Sequence, residues 1–73
     1  MRALLRDRLD HSLIALEVEQ VCYDENAQEL YLSSPDYDYF IAMVKVNADS
    51  FIRELYENGK ADLTQYGAAE INN

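Results

Sequence analysis

Residues 37–46, Tyr-Asp-Tyr-Phe-Ile-Ala-Met-Val-Lys-Val, are apolar at both even and odd positions. A half-buried strand alternates apolar and polar residues, so a strand of this kind needs cover on both faces. Phe40, Ala42, Val44 and Val46 read as its core face. Lys45 marks the odd face, with Tyr37, Tyr39, Ile41 and Met43, as the wetter one. The chain has 73 residues, and at this size only about 60% of the unfolded surface is buried on folding, enough for one core. The run therefore implies a small sheet with one face closed by a helix and a Tyr-rich face left over.

The rest of the chain supplies those elements. Residues 12–22 alternate as a strand, with Ile14, Leu16, Val18 and Cys22 on one face and Glu17, Glu19 and Tyr23 on the other. Asp24-Glu25-Asn26 reads as a hairpin turn with Asn26 left-handed. A second strand covers 28–33, with Leu30 and Leu32 inward and Glu29, Tyr31 and Ser33 outward. Ser33-Ser34-Pro35-Asp36 is a second turn. A helix over 47–58 is signalled by Asn47 as N-cap, Val46 and Phe51 as a hydrophobic staple, and Asp49 in the first turn. Ala48, Phe51, Ile52 and Leu55 form its core stripe, and Gly59 stops it. Residues 61–66 read as a short helical turn capped by Asp62, and 67–73 as a frayed tail. In the N-terminal segment 1–11, Met1, Leu4, Leu5 and Leu9 favour a short helix over a lead-in to the first strand. The expectation is one α+β domain over 1–73: a three-stranded antiparallel meander (12–46), a packed C-terminal helix and a short N-terminal helix.

Charge narrows the function. The net charge is −8, the wrong sign for gripping nucleic acid or an anionic membrane. Residues 1–11 are slightly basic, so the acidity belongs to the body. One cysteine precludes a disulfide framework or a cysteine-based zinc site. Arg6, Asp7 and Arg8 break the N-terminal apolar stretch, which does not read as a signal peptide, and a reducing cytoplasm is the expected compartment. No apolar run approaches the roughly 20 residues of a membrane span.

Catalytic sets are sparse. Asp10-His11-Ser12 has the residue types of a hydrolase triad, but adjacent residues do not converge as triad members must, so it reads as a polar turn. Cys22 reads as a small core hydrophobe. Asp24-Glu25 and Asp36-x-Asp38 lack the glycine of a calcium loop and read as solvated turn acids. There is no phosphate-binding glycine loop. No enzyme activity, cofactor or metal is expected.

The tyrosines point instead to contact. Tyr23, Tyr31, Tyr37 and Tyr39, joined by Ile41 and Met43, are expected on the outward sheet face, where such residues suit a protein interface. The alternative is that the N-terminal segment folds over them. Glu17, Glu19, Glu29, Asp36 and Asp38 are expected around that patch. Acids two apart on a strand lie about 6.6–7 Å apart, sparser than the duplex's charge per about 1.7 Å but of the same sign.

In size and charge the chain resembles the small acidic proteins with which phages and plasmids counter host defence, such as anti-CRISPR and anti-restriction proteins. That resemblance is compositional; it rests on no motif and transfers no residue role. It implies a protein-binding inhibitor of a host nucleic-acid-binding complex that occludes or mimics nucleic acid, with no direct nucleic-acid or membrane contact. The competing class is a structural or accessory subunit, or a small homodimer. Inhibition requires the acids to form one surface; docking scatters them and buries the Tyr patch between like subunits. A DNA-binding regulator ranks behind both, because Asp7 and Asp10 interrupt its only basic cluster, Arg2, Arg6 and Arg8.

Overall fold

The computed structural model describes residues 1–7 and 9–66, and the backbone of Glu70–Ile71. Its elements are β1 (Arg2–Asp7), β2 (Leu13–Glu17), β3 (Gln20–Asp24), β4 (Glu29–Ser33), β5 (Asp38–Ala42), α1 (Lys45–Asn58), β6 (Lys60–Asp62), a 3-10 turn (Leu63–Tyr66) and β7 (Glu70–Ile71). The fold is α+β, with one α-helix and two sheets among the described residues. β3-β4-β5 is the expected antiparallel meander, and β2-β1-β6, with β7 also on β1, is a second sheet.

The N-terminal segment is a strand, not a helix. Ala3 and Leu5 are fully buried, while Arg2 and Arg6 are exposed, a period of two. Leu9, which the helical stripe needed, is 82% exposed. A lone helix of this length is marginal in water. As a strand, β1 pairs antiparallel with β2 and parallel with β6 and β7, which satisfies its backbone on both edges. The polar turn over Asp10-His11-Ser12 is present: Ser12 donates its N–H and Oγ to the Asp10 carboxylate at 2.9 and 2.7 Å.

The expected strand over 12–22 is two strands in two sheets. At the break, the Val18 amide donates to Met1 O at 2.7 Å, in the first sheet. The next amide, that of Glu19, donates to Ser33 O at 2.7 Å, in the second. Ile14, Leu16 and Val18 face the core as expected, but beyond the bend the phase inverts. Val21 and Tyr23 turn inward, and Cys22 is exposed rather than buried.

Register carries that inversion through the meander. Tyr23, Leu30 and Ile41 lie opposite one another, as do Val21, Leu32 and Tyr39. These are the inward rows. In β5 the odd positions are therefore core, and the even-face assignment is overturned: Ile41 and Met43 are 7% exposed, Phe40 is 64% exposed. Lys45 gave a misleading parity because it is the first helical residue, not part of the strand. Val44 and Val46 lie beyond β5 and are exposed. In the β3–β4 turn Asp24 Oδ1 accepts from the Asn26 and Ala27 amides, and Gln28, not Asn26, adopts positive φ.

α1 starts two residues earlier than expected, with Val44 as N-cap and no side-chain cap. Asn47 is thus inside the helix, Val46 is 73% exposed rather than a staple, and Asp49 lies past the first turn. Asp49 instead accepts from Lys45 Nζ at 2.9 Å, an i,i+4 pair. The core stripe holds: Ala48, Phe51 and Leu55 are fully buried, with Ile52 packed against them. Gly59 ends the helix at φ 76°, its N–H donating to Leu55 O, and its own carbonyl accepts from Arg2 N at 2.9 Å. One turn thus closes the helix and starts β6 beside β1. Asp62 caps the following 3-10 turn by accepting from Thr64 N and Oγ1 at 2.9 and 2.6 Å. Of the expected frayed tail, Glu70–Ile71 pair with β1; residues 67–69 and 72–73, like Arg8, lie outside the described residues.

Both sheets and the helix share one apolar cluster, in which Phe51 is the largest fully buried side chain and Tyr66 stands edge-on to it at 5.9 Å between ring centroids. Phe51→Ala is expected to cost about 3–5 kcal/mol, and Gly59→Ala, at a left-handed position, about 1–2 kcal/mol. Urea denaturation of each variant measures both.

Candidate protein-binding surface

The outward face of β3-β4-β5 consists of three cross-strand rows: Gln20–Ser33–Asp38, Cys22–Tyr31–Phe40 and Asp24–Glu29–Ala42. The middle row is apolar and aromatic. Tyr31 and Phe40 lie directly opposite with ring centroids 5.3 Å apart. Carboxylates stand on the rows either side: Asp38 on one, and Asp24 opposite Glu29 on the other. Directly opposed residues approach within about 4.5–5.5 Å, so Asp24 and Glu29 form a concentrated negative end.

The Tyr patch expected from the sequence is divided by the sheet. Tyr31 stays on the outer face and Tyr37, 67% exposed, stands in the turn before β5. Tyr23, Tyr39, Ile41 and Met43 belong to the core side instead. Tyr23 donates its hydroxyl to Met43 O at 2.6 Å, tying β3 to the end of β5. Tyr37 packs edge-on against Tyr39 at 6.4 Å, and Ser34 Oγ accepts from its amide.

The acids divide as well. Glu17 sits in the first sheet, 3.5 Å from the Met1 α-amino group and 3.8 Å from Arg2 Nε. It is neutralised locally. Glu19, Glu29, Asp36 and Asp38 belong to the meander and its turns. Residues 18–44 contain six carboxylates and neither lysine nor arginine. Among the described residues, the ion pair that reaches this block is Lys45 to Glu25 at 3.6 Å, at its edge.

Phe40 and Cys22 are surface residues that the sequence assigns to the core, and Asp24, expected as a solvated turn acid, joins the same face. The signal for Phe40 was present: Tyr39, Ile41 and Met43 form a more continuous apolar set than Asp38, Phe40 and Ala42, once Lys45 is set aside.

Electrostatics link the aromatic row to the acids. Partial burial raises the Tyr31 pKa above its ordinary value, and the neighbouring Asp38 carboxylate raises it further. Asp49, and then Glu25, raise that of Lys45. Elsewhere, a hollow of about 240 Å³ is lined by Leu4, Glu54, Asn58, Lys60, Ala61 and Asp62, smaller than the roughly 300–1,000 Å³ of small-molecule sites. No group of three or more His, Cys, Asp or Glu among the described residues is placed to hold a metal ion. No described helix is long and apolar enough to cross a membrane.

Because Tyr31 ionises above its ordinary pKa, it favours the fold below that ordinary value, and the contribution is lost as pH rises through the folded pKa. Asp38→Asn removes the neighbouring carboxylate charge. The expected outcome is a lower Tyr31 pKa, read by ultraviolet or NMR titration above about pH 10; an unchanged midpoint would show that the Asp38 contact does not form.

Comparison with protein-family models, curated proteins and solved structures finds no match to this chain.

Proposed function

We propose that the chain is a non-enzymatic protein-binding domain that captures a basic, nucleic-acid-binding protein on the outward face of β3-β4-β5 and occludes its cationic groove. The observation that carries this reading is the charge distribution: six carboxylates and no lysine or arginine over residues 18–44. The acids of the outer face lie on either side of the Tyr31–Phe40 pair, so a partner meets an apolar centre and a charged rim, as in many protein interfaces. The charges steer encounter and set register, and the aromatic row supplies area.

Asp38 is four strand positions from the Asp24–Glu29 row, about 13–14 Å along the sheet. A groove that binds phosphates at several points can engage both ends at once. In this reading the protein acts as an inhibitor of the phage- or plasmid-borne kind, in the cytoplasm, where a free exposed thiol at Cys22 persists in reduced form. No cofactor takes part.

The test uses the tagged chain as bait in a lysate of its source cell, with salt-gradient elution and identification of the bound protein. Affinity and competition with nucleic acid are then measured on the purified pair. Glu29→Lys and Asp38→Lys are each expected to weaken binding at least about tenfold, whereas Glu57→Lys, the same charge change on an exposed turn of α1, leaves it within about twofold. Equal effects at all three sites, or a partner that binds nucleic acid and this chain together, would overturn the reading.

A further inference from the structure

We infer that two copies of this chain pair antiparallel through the free edge of β5, joining two three-stranded sheets into one six-stranded sheet. β5 is the last strand of its sheet, and among the described residues its backbone between Asp38 and Ala42 bonds to β4 alone. Its outward groups can be assigned. In an antiparallel ladder, residues alternate between those bonded to the neighbour and those facing away. The Met43 amide donates to Gln28 O at 3.1 Å, in continuation of the β4–β5 register. Tyr39 and Ile41 are therefore bonded to β4 as well. Asp38, Phe40 and Ala42 direct their N–H and C=O groups to the open side.

Those residues are self-complementary about a two-fold axis at Phe40. Phe40 pairs with Phe40 of the second copy, and Asp38 with Ala42 in both directions. Every outward N–H and C=O of β5 then finds a partner. The aromatic row continues across the junction, Cys22–Tyr31–Phe40 meeting its own mirror sequence. Natural edge strands are blunted by lysine, proline, a bulge or a covering element; among the described residues β5 has none of these, and its one charge stands at its first position. Among the described residues, four of the seven exposed large hydrophobics, Tyr37, Phe40, Val44 and Val46, lie on β5 or within four residues of its ends. This concentration favours a second copy over a basic peptide, which would leave Phe40 facing a charged chain.

The inference goes beyond the proposed function and stands apart from it. Two chains at −8 repel one another, so added salt tightens this association by screening, whereas it weakens capture of a basic partner.

Sedimentation equilibrium of the full chain between about 10 μM and 1 mM, at about 50 and 500 mM salt, measures it. The expected result is a monomer–dimer equilibrium that tightens with salt. Phe40→Lys places like charges at the two-fold and is expected to weaken it at least about tenfold; Leu13→Lys, equally exposed on the edge of β2, is expected to leave it unchanged. Amide hydrogen exchange of the native chain is a second readout: Asp38, Phe40 and Ala42 become slower as concentration rises, and Leu13–Glu17 do not. A monomer under all conditions, a dimer indifferent to Phe40→Lys, or one broken by Leu13→Lys would overturn the inference. A monomer that still captures a basic partner would overturn it while leaving the proposed function intact.

Discussion

Two consecutive amides decide the architecture. Val18 donates to Met1 in one sheet and Glu19 to Ser33 in the other, so the chain changes sheets within a single peptide unit. Both bonds are short, and Val18 is buried at 3% exposure, where an unpaired amide costs about 1–3 kcal/mol. Because side chains alternate along a strand, a bend that resets the phase by one residue exchanges the faces of all that follows. β3 takes its phase from this bend, β4 takes its register from β3, and β5 from β4. That Phe40 and Asp38 face outward while Ile41 and Met43 fill the core is settled some twenty residues upstream.

The same division separates charge. The first sheet brings opposite charges together, Glu17 meeting Arg2 and the α-amino group, while Arg6 donates to the backbone oxygen of His11 at 2.7 Å. The meander has acids without cations, apart from Lys45 at its edge. Asp24 is held by neutral donors instead, accepting from the Asn26 and Ala27 amides, and Asp38 lies beside the Tyr31 hydroxyl. Hydrogen bonds of this kind position a carboxylate without cancelling its charge. The acids remain displayed to solvent, where screening over about 8–10 Å keeps their mutual repulsion tolerable.

Local patterns revealed the elements, but not the phase between them. Leu30 and Leu32 inward, the Ala48–Phe51–Leu55 stripe, Gly59 as the helix stop and Asp62 as a cap were legible because each depends on neighbours within one turn or one strand. The N-terminal strand was not, since Met1, Leu4, Leu5 and Leu9 fit a helical stripe as well as Ala3 and Leu5 fit alternation. Only β2 and β6, distant in sequence, decide between them. The faces of β3 and β5 failed for a related reason. A bend at Glu19 leaves no compositional mark, and Lys45 carries the parity of a helix. The candidate surface was accordingly half legible: Tyr31, Glu29 and Asp38 were placed outward, while Tyr23, Tyr39, Ile41 and Met43 were assigned to a face they do not occupy.

Charge and edge then act together on register. Pairing of β5 about Phe40 leaves the two Asp38 carboxylates four strand positions apart, about 13–14 Å, beyond the screening length at physiological salt. A slip of two residues toward Asp38 halves that distance and strands Ala42. A further slip sets Asp38 against Asp38, a directly opposed like-charge pair. Slips the other way run off the strand, because the Val44 carbonyl already accepts from the Asn47 and Ala48 amides and the helix begins at Lys45. One acid at the start of a five-residue edge thus does for register what a turn does in a hairpin. An isologous pairing consumes both β5 edges, so it closes at two copies. The outer face, perpendicular to the edge bonds, is left free, and its acidic rows are doubled.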